Sequence, residues 1–223
     1  AIKKYAVENK LKLLQPKNLK SEEFLSNLKA LKANLQIVVA FRMLPKVVWK
    51  MPAFGTINLH ASLLPKYRGA APINWVIMNG ETETGVSTFF INEHIDTGAI
   101  IAQKSISLSS EVSAGELHDQ LKAIGATLTV ETADQICAGA VSTIEQDPSD
   151  TNVPFAPKIF KADCEIDWSQ AAEINHNRIR GLSPYPAAWC KLWSAKKSNW
   201  ITFKLFGSSI AYVEQVKRTD GPF

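Results

Sequence analysis

The chain has 223 residues, 46% of them apolar and 21% charged, which is ordinary globular usage with room for one large domain, or for one and a fragment. No apolar run reaches the roughly 18 residues that span a bilayer, and the polar, lysine-rich opening from Ala1 to Lys12 is no secretory signal. The net charge of +4 is uneven: Ala1 to Ala156 balances 15 Lys+Arg against 15 Asp+Glu, whereas Pro157 to Phe223 holds 10 against 6, the mark of a polyanionic partner or of a solvated basic surface.

Ala1 to Lys10 reads as the end of a helix and Leu11 to Leu14 as a short strand closed by Gln15-Pro16. Ser21 caps a helix to about Lys32, with Phe24, Leu25, Leu28 and Leu31 on one face. The β-branched run Leu35 to Phe41 predicts a strand buried on both faces. Pro45 opens a short helix, Thr56 to His60 is the next strand, and Ala70 to Gly80 a helix ended by glycine. Gly85 to Asn92 and Ala99 to Leu108 are strands joined by a connection too short for a parallel crossover, so they pair antiparallel. Ser113 and Glu116 form a capping box opening a long helix to about Cys137. Alternating strands and helices predict an α/β domain with a mainly parallel sheet and helices on both faces.

From Gln146 to Lys161 three prolines and no helical period mark a linker. A helix follows at about Ser169 to Leu182, then the strand-like runs Trp189 to Trp193 and Ile201 to Phe206, the start of a small β-rich domain that meets no closing element by Thr219 to Phe223. The expected boundaries are a catalytic domain over 1–150, a linker over 151–168 and a second domain over 169–223, with an N-terminal strand-helix unit and the end of the second domain missing. Cys137, Cys164 and Cys190 are widely spaced, which suits reduced, buried thiols in a cytoplasmic protein. Four histidines without metal-ligand spacing predict no metal site.

Asn58 and His60 are two apart on a strand, so they share a face near its carboxyl end, where open α/β sheets bind ligands. An amide is a fixed donor, and an imidazole donates, accepts or carries charge near neutral pH; the pair suits oxyanion stabilisation and proton relay. Asp96 in Ile-Asp-Thr-Gly supplies a carboxylate from a tight turn, able to fix the imidazole tautomer and favour its charged form, and Gly98 lets that turn approach a ligand closely. Taken singly, Asn-x-His also reads as a satisfied structural pair and Asp96 as a turn aspartate. Arg42, Met43 and Leu44 read as a strand-to-helix turn with core residues, Arg68 as an anion contact or a surface arginine, and Trp189, Trp193 and Trp200 as core of the small domain.

The joint pattern is more specific: Asn58-x-His60-x-Ser62-Leu63-Leu64-Pro65, Arg68-Gly69-Ala70-Ala71-Pro72, then Ile95-Asp96-Thr97-Gly98. From about Leu35 to Gln103 it resembles the 10-formyltetrahydrofolate-dependent formyltransferases. Lys158 to Ser169 and Ile179 to Trp189 resemble the domain junction of the branch that formylates methionyl-initiator tRNA for translation initiation. The resemblance implies a Rossmann-like catalytic sheet and an OB-like second domain. It makes Asn58, His60 and Asp96 the catalytic trio, places Ser62, Leu63, Leu64 and Pro65 in the loop lining the folate site, and sets the backbone of Arg42, Met43 and Leu44 against the pterin ring. It implies a monomeric protein with 10-formyltetrahydrofolate as donor, initiator tRNA as partner, no metal and no membrane.

On that resemblance the methionyl amine attacks the formyl carbon, Asn58 and protonated His60 hold the developing oxyanion, and Asp96 keeps His60 charged and takes the amine proton. Lys158, Lys161, Arg178, Arg180, Lys191, Lys196, Lys197 and Lys204 are the candidates for tRNA contacts, each singly also a solvated charge. The alternatives are a formyltransferase acting on a small amine (glycinamide ribonucleotide or an amino-sugar nucleotide), a hydrolase releasing formate, and a non-catalytic RNA-binding relative.

Overall fold

The computed structural model describes residues 2–40, 42–147, 149–150 and 152–211. Phe41 and the expected unclosed end at Thr219 to Phe223 lie outside the described residues. In chain order the elements are α1 (Ile2–Glu8), α2 (Glu22–Lys29), β1 (Gln36–Val39), α3 (Lys46–Trp49), β2 (Thr56–His60), β3 (Arg68–Gly69), α4 (Pro72–Met78), β4 (Glu83–Phe90), β5 (Ile100–Ser107), α5 (Ala114–Cys137), β6 (Phe155–Ala156), a 3-10 turn (Ala162–Cys164), α6 (Ala172–Gly181), β7 (Ala188–Ser194) and β8 (Asn199–Leu205). The described residues group into two compact units, one from Ala1–His60, Val86–Lys104 and Gly125–Asp150, the other from Ala61–Gly85, Ser105–Ile124 and Thr151–Phe223.

The first unit is built on a sheet of order β1-β2-β4-β5. β1 and β2 pair parallel, β2 and β4 antiparallel. β4 and β5 run oppositely too, because Phe90 N–H donates to Ala99 O while Thr88 Oγ1 donates to Ala102 O and Gln103 Nε2 to Ser87 Oγ. Three of the four strands therefore point one way, a mixed sheet with parallel direction predominating. Leu59 and Thr88 share the face toward α5. A Cβ on Gly125 would lie 2.8 Å from Leu59 Cδ2, and the buried hydroxyls of Thr88 and Thr132 are 2.8 Å apart. That leaves Asn58, His60, Ser87 and Phe89 on the opposite face.

Two expectations fail here. Residues 11–16 form no strand, and Leu11 and Leu13 stand 55% and 37% exposed, with no ladder to satisfy the backbone among the described residues. β1 is not buried on both faces: it is the edge strand, and Ile37 and Val39 are 46% and 55% exposed. A continuous apolar run allows two-sided burial but does not supply the neighbour that creates it. The caps are as expected: Ser21 Oγ accepts from Phe24 N–H at the start of α2.

In the second unit two residues of the expected linker, Phe155 and Ala156, form a sheet strand. β3 and β6 pair parallel, and the N–H groups of Ala70 and Ala71 both donate to Ala156 O, at 2.7 and 3.1 Å. Gly69, at φ 127°, permits this approach, since a Cβ there would sit 2.4 Å from that oxygen. Trp75 Nε1 donates to Pro157 O, fixing the strand's exit. α4 meets α6 through Gly181, whose carbonyl accepts from Asn74 Nδ2 at 2.7 Å. α5 opens with the predicted capping box: Ser113 N–H and Oγ–H both donate to Glu116 Oε2. Cys164, Ile166, Ile179, Leu182 and Ala188 form a buried cluster against which Trp189 and Leu205 pack.

Further corrections fall in this unit and at the end of α5. Trp193 and Trp200 are not core: they are 55% and 59% exposed and meet edge to face across the β7–β8 hairpin at 5.6 Å. Arg68 is buried at 3% exposure rather than a surface arginine. Arg180 is buried too, its guanidinium donating to Val112 O and Asn177 Oδ1 inside the fold. Of the three cysteines, all free, Cys137 is exposed rather than buried.

Candidate active site

β2 brings Asn58 and His60 to one face of the first unit's sheet, and the sheet register holds them. Asn58 lies opposite Phe89 and His60 opposite Ser87. His60 is 6% exposed. Asn58 Oδ1 is buried with no hydrogen-bond partner among the described residues, a condition costing on the order of 1–3 kcal/mol where no ligand group meets it. Asp96 reaches the same place. Its Oδ2 lies 3.6 Å from His60 Nδ1, with the two side chains 12% and 6% exposed. That is ion-pair distance rather than a closed hydrogen bond; catalytic pairs commonly tighten only around substrate.

The route by which Asp96 arrives was not legible. β4 runs opposite to β2, so its carboxyl end lies beside the amino end of β2: Phe90 pairs with Ile57, and Ile91 N–H donates to Thr56 O. His60 is four residues further along β2, about 13 Å at strand rise. The segment after β4 therefore doubles back over the Asn58–His60 face before β5 begins. Asn92 Oδ1 ties it internally, accepting from His94 N–H and Thr97 Oγ1–H at 2.9 and 3.0 Å. Asp96 sits at φ 54°, a left-handed conformation uncommon for a residue with a side chain and found where surroundings impose it. Gly98 has a different reason from the expected one. The close approach is to protein, because a Cβ there would fall 1.6 Å from Phe90 O.

Sequence reasoning missed Gln146, which it placed at the start of a linker. The residue is 9% exposed, and its Nε2 donates to Asp96 O at 3.1 Å and to Gly98 O at 2.7 Å. Nothing in the local pattern marks it, since its partners are backbone carbonyls far away in the chain.

Arg42, Met43 and Leu44 leave the carboxyl end of β1, which is level with that of β2 because Val39 pairs with Leu59. They are not core: Met43 is 72% exposed and Leu44 half-buried. The Arg42 guanidinium donates to Pro16 O and Lys17 O, which fixes the turn. Ser62, Leu63, Leu64 and Pro65 follow His60 directly and belong to the second unit. There Ser62 is fully buried with its hydroxyl donating to Lys66 O at 2.6 Å, Leu64 is buried, and Leu63 and Pro65 are half-buried. Among the described residues no helix is long and apolar enough to cross a membrane, and no three His, Cys, Asp or Glu side chains cluster as metal ligands do.

Comparison with known proteins finds relatives over most of the chain. A methionyl-tRNA formyltransferase of Flavobacterium johnsoniae is 54% identical over 211 residues, covering 94% of this chain and 66% of the relative. Like-named relatives are 46–56% identical, and the chain spans 60–68% of their length. Among solved structures, a 4-N formyltransferase from Francisella tularensis matches with TM-score 0.70 at 19% identity over 94% of this chain and 83% of that one. HypX from Aquifex aeolicus in complex with tetrahydrofolic acid matches with TM-score 0.62 at 20% identity, over 77% of this chain and 30% of that one. Residues 2–133 match the formyl transferase model and residues 158–216 that of the formyl transferase C-terminal domain, so the chain belongs to the formyl transferase family.

Proposed function

We propose that the chain transfers the formyl group of 10-formyltetrahydrofolate to the amino group of methionyl-initiator tRNA, in the cytoplasm, for translation initiation. The observation that carries the reading is the buried His60–Asp96 pair at 3.6 Å with Asn58, its Oδ1 buried and without a partner among the described residues, two residues away on the same strand face. The residues fit the donor: Asn58 Oδ1, a buried acceptor in want of an N–H, lies at the same sheet edge as the Arg42–Leu44 turn. When bound, the folate supplies a formyl carbon on a nitrogen leaving group. Asn58 and protonated His60 donate to the formyl oxygen as negative charge grows on it. Asp96 holds His60 oriented and accepts the proton released by the attacking amine, directly or through water, and the departing folate nitrogen takes up a proton as its bond to the formyl carbon breaks. Ser62 to Pro65 line the donor.

The relatives at 46–56% identity and the hairpin support the acceptor. Trp189, Lys191 and Trp193 on β7 share a face with Trp200, Thr202 and Lys204 on β8, because cross-strand partners Lys191–Thr202, Trp193–Trp200 and Trp189–Lys204 point the same way. Cations interleaved with exposed aromatic rings suit an RNA backbone and its bases. A second reading, an amino-sugar acceptor, is favoured by the names of several solved neighbours, all at 18–22% identity. One assay separates the readings: 10-formyltetrahydrofolate supplied with methionyl-initiator tRNA, with amino-sugar nucleotides, or with water alone. Formylation of the charged tRNA is expected; formylation of the sugar alone, or release of formate alone, defeats the proposal.

A further inference from the structure

We infer that Gln146 is a positioning residue for the formyl transfer proposed above, acting through Asp96, and the inference rests on that reading of the site. The catalytic carboxylate is the one member of the trio not held by the sheet. Asn58 and His60 are fixed by β2 and its ladder to β4, whereas Asp96 rides a segment that leaves from the far end of β2 and returns over its face. Its backbone is left-handed at φ 54°, a conformation that aspartate visits only occasionally and that outside contacts help to hold. Gln146 is the external clamp on that conformation. A single Nε2 spans the turn, with one hydrogen toward Asp96 O at 3.1 Å and the other toward Gly98 O at 2.7 Å. Only a primary amide offers two hydrogens on one neutral atom, and at 9% exposure water does not readily replace it.

Gln146 is itself anchored. Two residues earlier, Ile144 and Ile100 exchange both backbone hydrogen bonds at 2.8 Å, tying the Gln146 segment to the first residue of β5. The turn is thus fixed at both ends of its return path, at Phe90 and at Ile100, and Gln146 sets its apex. With the clamp removed, the Asp96 carbonyl loses this donor and the carboxylate shifts from the His60 Nδ1 direction. A misplacement near 1 Å in such a group reduces rate by about 100-fold.

The test uses Gln146→Met, which keeps length and volume and removes both donors, beside Asp96→Asn and the double variant, all in the full chain. Far-UV circular dichroism and thermal melts establish folding first, and Gln146→Glu, isosteric and also without the paired donors, serves should the methionine variant not fold. The expected result is a kcat lower by about 10- to 100-fold with donor KM within about twofold. The double variant is expected to be no slower than Asp96→Asn alone, because Gln146 has nothing left to position. A purely structural role would lower both backgrounds alike, and that additivity, or an unchanged kcat in both Gln146 variants, overturns the inference. A full kcat in Asp96→Asn removes the catalytic reading itself, and this inference with it; a dead Asp96→Asn beside an unimpaired Gln146→Met removes only this inference.

Discussion

Replacing Gly98 by alanine puts one methyl group where the returning turn crosses β4. The new Cβ would fall 1.6 Å from Phe90 O and 2.8 Å from Phe90 C, and 3.3 Å from the Phe89 ring. Carbon–oxygen contacts begin near about 3.3–3.6 Å, so roughly 1.8 Å of separation has to be found. The obstacle is backbone in a sheet strand, not the end of a flexible side chain, so the turn moves rather than β4. Overpacking of this kind costs about 1–3 kcal/mol, and a backbone obstacle places the loss toward the upper figure. Asp96 is two residues upstream and lies 3.6 Å from His60, so a shift of that size takes the carboxylate out of reach. Turnover is expected to drop by about 100-fold or more. Gly139→Ala is the control in the same unit: its φ of 67° strains an alanine, but nothing lies within 4 Å of the added methyl. It is expected to lose about 1–2 kcal/mol from the left-handed backbone alone and to keep its kcat. Urea melts and steady-state formylation measure both variants. A Gly98→Ala protein no less stable and no slower than Gly139→Ala would refute the reasoning.

Asn58→Ala and His60→Ala are each expected to lower kcat by roughly 100- to 1,000-fold with donor binding largely kept, read by steady-state kinetics and folate titration. Burial and the Glu81 carboxylate, which accepts from its hydroxyl at 2.7 Å, push the Tyr67 phenol above its ordinary range. The unfolded chain ionises from about pH 10 while the folded one holds the proton, so this contribution is whole below pH 10 and declines as pH rises beyond it. Tyr67→Phe is expected to lose about 1 kcal/mol at neutral pH and to flatten the alkaline loss in urea melts from pH 8 to 11. Replacing Lys191 and Lys204 by alanine is expected to weaken tRNA binding and to shallow its log–log salt dependence by about 1–2, as for one or two lost phosphate contacts.

What was legible in the sequence is what short range decides. The Ser113–Glu116 box, the Ser21 cap, Pro45 and Gly80 act over three or four residues and are where the pattern put them. Asn58 and His60 were legible because a strand's two-residue period forces a shared face whatever the sheet does. What was not legible depends on partners that periodicity does not name. On β1, Ile37 and Val39 share one face and stay exposed, and the apolar run does not say which face will be covered. Two residues of the proline-rich segment became β6 because Gly69 exposes a backbone with which they can pair. Trp193 and Trp200, alternating on the outward side of a hairpin whose inward side carries Ala188 and Cys190, carry the same hydropathy as core residues.

The reversed direction of β4 has a consequence for how activity and stability separate. Were β4 parallel to β2, its carboxyl end would deliver Asp96 straight to the level of His60, and the sheet would fix all three groups. Being antiparallel, it delivers the chain to the wrong end, and the distance is made up by a segment held through Asn92, the bare Cα of Gly98 and the Gln146 amide. Its ties near Asp96 are to carbonyls and side chains, not to a ladder of its own. Changes in the core of this unit, at Ile57 or Phe89, act first on folding. Changes at Asn92 or Gln146 act first on where one carboxylate points, so a protein altered there loses turnover out of proportion to its loss of stability.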